Sequence, residues 1–229
     1  TGETNVLIGG LAGDALTTSS GNVAIGYSSL SAEDQYGKNT AIGFSTLRNQ
    51  NAGSDAYNVA VGYDAGKEVT TGVRNTIVGG LAGDALTTGD YNVAFGYGAL
   101  TTEDTGNRNT AIGYKSLENL NVNGDALNTA VGYASGQAMT TGLQNTILGG
   151  HAADALTTGS YNIALGAYAL TTEDTGSRSV AIGYSALQNQ NYNGEAFNIA
   201  IGHLSGQNVT TGILNTLIGG LSGDALTSG

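Results

Sequence analysis

Asn22–Gly26 reads NVAIG, and seventeen residues later the chain writes NTAIG at Asn39–Gly43. Variants of this five-letter word occur thirteen times, beginning at Asn5, Asn22, Asn39, Asn58, Asn75, Asn92, Asn109, Asn128, Asn145, Asn162, Ser179, Asn198 and Asn215. The steps run 17, 17, 19 and 17 and then recur, so four coils form a 70-residue superunit starting near residues 5, 75 and 145, with a partial fourth from 215. Each word is a short Ala and β-branched run closed by Gly, which predicts a strand. Gly recurs too often, and the apolar spacing departs too far from 3.6, for a helix. A chain that returns to the same place every 17 or 19 residues predicts an all-β fold: residues 1–229 form a single parallel β-solenoid of about thirteen coils. At the usual inter-strand spacing, thirteen coils would make a rod about 60 Å long.

Two volume exchanges accompany the repeat. Where the Gly closing the word is followed by a second Gly (Gly10, Gly80, Gly150, Gly220), the word's third residue is large: Leu7, Ile77, Ile147 and Leu217. Elsewhere the third residue is Ala, and the place of the second Gly usually holds Tyr or Phe, as in Ala24 with Tyr27. The expectation is that these two positions compete for one packed space. Further along the coil, seven coils pair a small residue with an apolar one three later, as Gly13 with Leu16. The other six carry Leu first (Leu30, Leu47, Leu100, Leu117, Leu170, Leu187), mostly followed by Glu or Gln.

Composition narrows function. The 229 residues include 38 Gly and no Pro, Cys or Trp, so no disulfide framework is possible. Eighteen acids against seven bases leave a net charge of -11, which repels phosphate backbones and anionic membrane surfaces. Nucleic acid is not an expected partner. No apolar run is long enough to span a bilayer, and TGETNVLIGG lacks the features of a signal peptide. The expectation is that a targeting segment has been removed or that the chain is a piece of something longer. It starts beside a repeat word and stops within a coil, so both ends read as open edges, to be continued by neighbouring domains or by end-to-end stacking of subunits.

Candidate sites follow from the repeat. GGLAGDAL at Gly79–Leu86 approaches the calcium-binding nonapeptide of β-rolls and makes Asp14, Asp84, Asp154 and Asp224 candidate metal ligands. Its third glycine is one place late, and only Asp64 in a preceding coil supplies a second carboxylate, so a Gly-rich turn with an Asx-type hydrogen bond is the expected reading and no cofactor is expected. The pairs Glu33–Asp34, Glu103–Asp104 and Glu173–Asp174, with Lys38, Arg108 and Arg178 shortly after, read as solvated turns with local ion pairing. A hydrolase would need one interruption of the repeat, not three copies. Asn22, Asn39, Asn58, Asn75, Asn92, Asn109, Asn128 and Asn145 are expected to stack as a structural ladder, amide on amide. Tyr27, Phe44, Tyr63, Tyr97, Tyr114, Tyr133 and Tyr184 share one coil position and predict an aromatic row. Tyr36, Tyr57, Tyr91, Tyr161 and Tyr192 are candidate surface contacts, and His151 and His203 read as surface variation. Thr pairs such as Thr70–Thr71 recur in only some coils, too irregularly for a continuous ice-binding grid.

The words NTAIGFSTL (Asn39–Leu47), NTAIGYKSL (Asn109–Leu117) and SVAIGYSAL (Ser179–Leu187) resemble repeats of phage tail fibres and the head repeats of trimeric autotransporter adhesins. That resemblance implies an elongated, trimeric fibre module outside the cell or on a virion or cell surface, used in attachment, with itself and a glycan or protein receptor as partners. It implies no enzyme activity. An end-to-end filament and a monomeric ice- or carbohydrate-binding solenoid are the alternatives.

Overall fold

The computed structural model describes residues 2–229, and no α-helix occurs among them. Each of the thirteen words holds one three-residue strand. The chain divides into two compact units, the first made of residues up to Asn109 with Asn121–Asp125, the second of Thr110–Leu120 with Ala126–Gly229. In the first unit the strands Val6–Ile8, Val23–Ile25, Thr40–Ile42, Val59–Val61, Thr76–Val78 and Val93–Phe95 pair in chain order, parallel and in register. In the second, Thr110–Ile112, Thr129–Val131, Thr146–Leu148, Ile163–Leu165, Val180–Ile182, Ile199–Ile201 and Thr216–Ile218 do the same. Both units are parallel β-solenoids.

Alternation along a strand decides the faces. The middle residue points inward: Ala24, Ala41, Ala60 and Ile77 are fully buried in the first unit, as are Ala111, Ala130, Ile147 and Ala164 in the second. Its two neighbours point outward, and the face they make carries Val, Ile, Leu, Thr and Phe only.

The Gly closing the word is required twice over. Gly62 has φ +141, and a Cβ there would lie 2.5 Å from the carbonyl oxygen of Gly79 in the next coil. A side chain at that place would force the coils apart.

One volume exchange is real but has a different partner from the expected one. The tyrosines opposite the second Gly are outside the core, with Tyr27 53% exposed, so they do not compete with buried Ala24. Ile77 instead fills the room left by two small residues, since a Cβ on Gly66 would stand 2.9 Å from its Cδ1 and one on Gly83 3.5 Å. In six of the nine coils with Ala in the strand, the place of Gly83 holds Leu, as in Leu30 and Leu117, both buried and both in the left-handed region at φ 51° and 49°. Left-handed backbone costs a leucine about 1 kcal/mol, which its burial, at about 2 kcal/mol, outweighs. At Gly10 and Gly80 a Cβ would only reach ordinary contact with the rings of Tyr27 and Tyr97, at 3.4 and 3.5 Å.

The exchange predicts a sign reversal. Ile77→Ala leaves a cavity and destabilises by about 2–4 kcal/mol. Gly83→Leu is expected to destabilise the parent chain but to stabilise the Ile77→Ala background, because Ala with Leu and Leu86 reproduces the natural set Ala111, Leu117 and Leu120. Urea unfolding of the two single variants and the double variant measures this coupling.

Candidate functional site

The Gly-Asp turns are closed by backbone. Leu16 donates its N–H to the Gly13 carbonyl at 3.1 Å, Leu86 to Gly83 at 3.1 Å, Leu156 to Ala153 at 3.2 Å and Leu226 to Gly223 at 3.0 Å. Asp14 and Asp224 are exposed, and Asp154 accepts from His151 Nδ1 at 3.0 Å. Asp84 is pushed upward in pKa, chiefly by burial and secondarily by Asp64, with Lys67 opposing. No group of three or more His, Asp or Glu able to hold a metal occurs among the described residues, and these enclose no pocket. Thr70, Thr87, Thr140, Thr157 and Thr210 donate their hydroxyls to carbonyls of the next coil. That use makes them coil-to-coil ties.

The acidic pairs are not solvated turns. Glu33, Glu103 and Glu173 are fully buried, because each takes the core place that Leu16, Val69 or Met139 fills in other coils. A buried carboxylate needs donors. Glu103 accepts from the Gly106 N–H at 2.7 Å and from the Val122 N–H at 3.2 Å. Glu173 accepts from the Gly176 N–H at 2.7 Å and from Gln190 Nε2 at 2.9 Å. These glycines are demanded by the acids, since a Cβ on Gly106 would lie 2.5 Å from the Glu103 carboxyl carbon.

Tyr36 occupies the corresponding place beside Glu33. Its N–H reaches Oε1 only at 3.2 Å, and Oε2 is buried without a partner, as are Asn39 Nδ2 and Gln50 Nε2. Burial, with Asp34 adding repulsion against the Tyr36 N–H, raises the Glu33 pKa to about 7. Glu103 is also raised, by burial, with the Gly106 and Val122 N–H groups opposing.

Nor do Lys38, Arg108 and Arg178 pair with those acids. Each reaches the two-residue insertion of the following 19-residue coil: Lys38 meets Asp55 at 2.5 Å, Arg108 meets Asp125, and Arg178 meets Glu195 at 2.7 Å. Both members of each pair are partly exposed, so solvent screens them and their contribution to stability is small. Asp55 is held below its ordinary pKa, first by the Lys38 hydrogen bond.

Two side-chain rows run along the surface of each unit. In the first row of the first unit, Tyr27 stacks on Phe44 at 5.6 Å and Phe44 on Tyr63 at 5.4 Å. In the second unit, Tyr114, Tyr133, His151, Tyr168, Tyr184 and His203 follow one another at 5.1–5.9 Å. His151, His203 and Tyr168 therefore belong to the row. His203 stands at the tyrosine's own position in its coil, whereas His151 and Tyr168 stand one residue later, where a comparison of coils in register does not place them.

The second row lies just before each word. Lys38 sits over Tyr57 at 5.1 Å and Arg74 over Tyr91 at 5.3 Å, with Arg108 also against Tyr91. In the second unit Arg178 lies between Tyr161 at 4.7 Å and Phe197 at 5.8 Å. Tyr57, Tyr91 and Tyr161 thus meet cations and are about half exposed. Tyr36 and Tyr192 lie outside this row, their backbone N–H groups turned to Glu33 and Glu173. The pairs Tyr27–Phe44, Phe44–Tyr63 and Tyr114–Tyr133 stack within 16° of parallel.

No known protein family, curated protein or solved structure matches the chain. No helix among the described residues is long and apolar enough to cross a membrane.

The Glu33 carboxyl supplies a pH test. A carboxyl whose pKa is raised on folding binds its proton more tightly in the native state, so stability is greatest below about 4.5 and declines as pH rises towards about 7. Glu103 adds in the same direction. Glu33→Gln is expected to raise the melting temperature at pH 8 and to reduce the loss between pH 4.5 and pH 7, as followed by circular dichroism. An unchanged pH profile would mean that Glu33 ionises freely.

Proposed function

We propose that this chain is a non-enzymatic structural module of an extracellular fibre, working by lateral association with further copies of itself. One observation carries the reading: the outward face of the parallel sheet is uncharged, largely apolar and partly exposed. In the second unit Ile112, Leu148, Ile163, Ile199 and Ile201 are each 36–49% exposed. Parallel sheets are ordinarily covered on both faces, and large contiguous apolar patches mark interaction surfaces.

A second copy is the partner that fits. The flanking strand positions hold no charged residue in any of the thirteen words, so the net charge of -11 is carried elsewhere and does not oppose contact there. A row with one apolar residue per coil matches another row of the same spacing. The likeness of NTAIGYKSL and its relatives to tail-fibre and adhesin repeats favours three copies, with attachment to a cell-surface glycan or protein as the wider role.

Light scattering behind a sizing column tests the association. The parent chain is expected at about three times 22.9 kDa, and the variant carrying Ile163→Glu and Ile199→Glu at 22.9 kDa with an unchanged β spectrum. A monomeric parent overturns the reading. A parent assembly that the glutamates leave intact would overturn the assignment of this face.

A further inference from the structure

We infer that Tyr114 and Tyr133 form a preorganised site of oxidative cross-linking, at which a covalent dityrosine bond would staple two neighbouring coils of the second unit. Their ring centroids are 5.1 Å apart and their planes 10° from parallel. They are 41% and 55% exposed, open to a dissolved oxidant. Their backbones are held together by the paired strands Thr110–Ile112 and Thr129–Val131 and by the Ala134 N–H donating to the Tyr114 carbonyl at 2.9 Å. The rings therefore meet without the search that normally limits coupling of two radicals.

The chemistry needs a one-electron oxidant, for which hydrogen peroxide acting through a haem peroxidase serves. Each phenol loses one hydrogen atom, and the unpaired spin spreads to the ring carbons beside the oxygen. Two such carbons, one on each ring, form a C–C bond. Each then releases its hydrogen as a proton, which returns to the ring's oxygen and restores aromaticity. Two phenols and one peroxide become one dityrosine and two waters.

Neighbouring contacts act as internal controls. Phe44 separates Tyr27 from Tyr63 and has no hydroxyl to oxidise. Tyr168 meets Tyr184 at 5.9 Å but edge-on, at 78°, which aims one ring's rim at the other's face instead of at its ortho carbon.

The 229-residue chain is treated with peroxidase and hydrogen peroxide and read by dityrosine fluorescence, gel mobility and peptide mapping. The expected result is a fluorescent product of single-chain mass in which the tryptic peptide Asn109–Lys115 is joined to the peptide bearing Tyr133. Tyr133→Phe should lose the product that joins these two peptides, and Tyr184→Phe should keep it. A parent chain with no single-chain product, or one joined chiefly through Tyr168 and Tyr184, overturns the inference.

Discussion

The Asn amide that opens twelve of the thirteen coils is the interaction on which the architecture depends. Its Oδ1 accepts the backbone N–H of the next coil's opening residue at 2.8–3.0 Å, at Asn5, Asn22, Asn39, Asn58, Asn75 and Asn92 in the first unit. The second unit repeats the bond from Asn128, Asn145, Asn162 and Asn198. In nine coils its Nδ2 donates to the carbonyl fourteen residues on, at 2.7–3.0 Å. One side chain thus ties the beginning of a coil to its own end and to its successor. Asp at this position would lack the donor, and Leu would lack both groups.

The 19-residue coils show what happens when that geometry is disturbed. Two inserted residues displace the carbonyl that Nδ2 would meet, and each superunit answers differently. Ser179 replaces the Asn, with Gln190 bridging from Glu173 to Ser179 and on to Asn198. Asn109 turns to the nearby Asn107 carbonyl at 3.3 Å, and apolar Leu120 stands where the other two have Gln. The first superunit keeps both Asn39 and Gln50 and leaves a donor on each without a partner. A buried group without its hydrogen bond costs about 1–3 kcal/mol, which marks the coil from Asn39 as the least well satisfied.

Strand positions, parallel order and coil length were legible from the word NTAIG and its spacing, because a strict repeat forces equal environments on equal positions. The amides expected to bond one another bond chiefly to backbone instead, with amide-to-amide bonds only from Asn22, Asn145 and Asn215 among those described. Glu33, Glu103 and Glu173 were misread because a Glu-Asp pair beside Thr or Ser suggests water. The contrary signal was present: they align with Leu16, Val69 and Met139. The cation–aromatic row was illegible from residue types, since its members range from Lys38 to Phe197 and share only their place before the Asn.

Unfolding of Asn75→Ala tests the central claim most directly. Asn75 is fully buried, accepts the Asn92 N–H at 2.8 Å and donates to the Gly89 carbonyl at 2.8 Å. Its loss leaves a buried donor and a buried acceptor unpaired. The account predicts destabilisation by about 2–4 kcal/mol in urea, together with faster hydrogen exchange at the Asn92 amide. A variant within about 0.5 kcal/mol of the parent, with Asn92 equally protected, would contradict it.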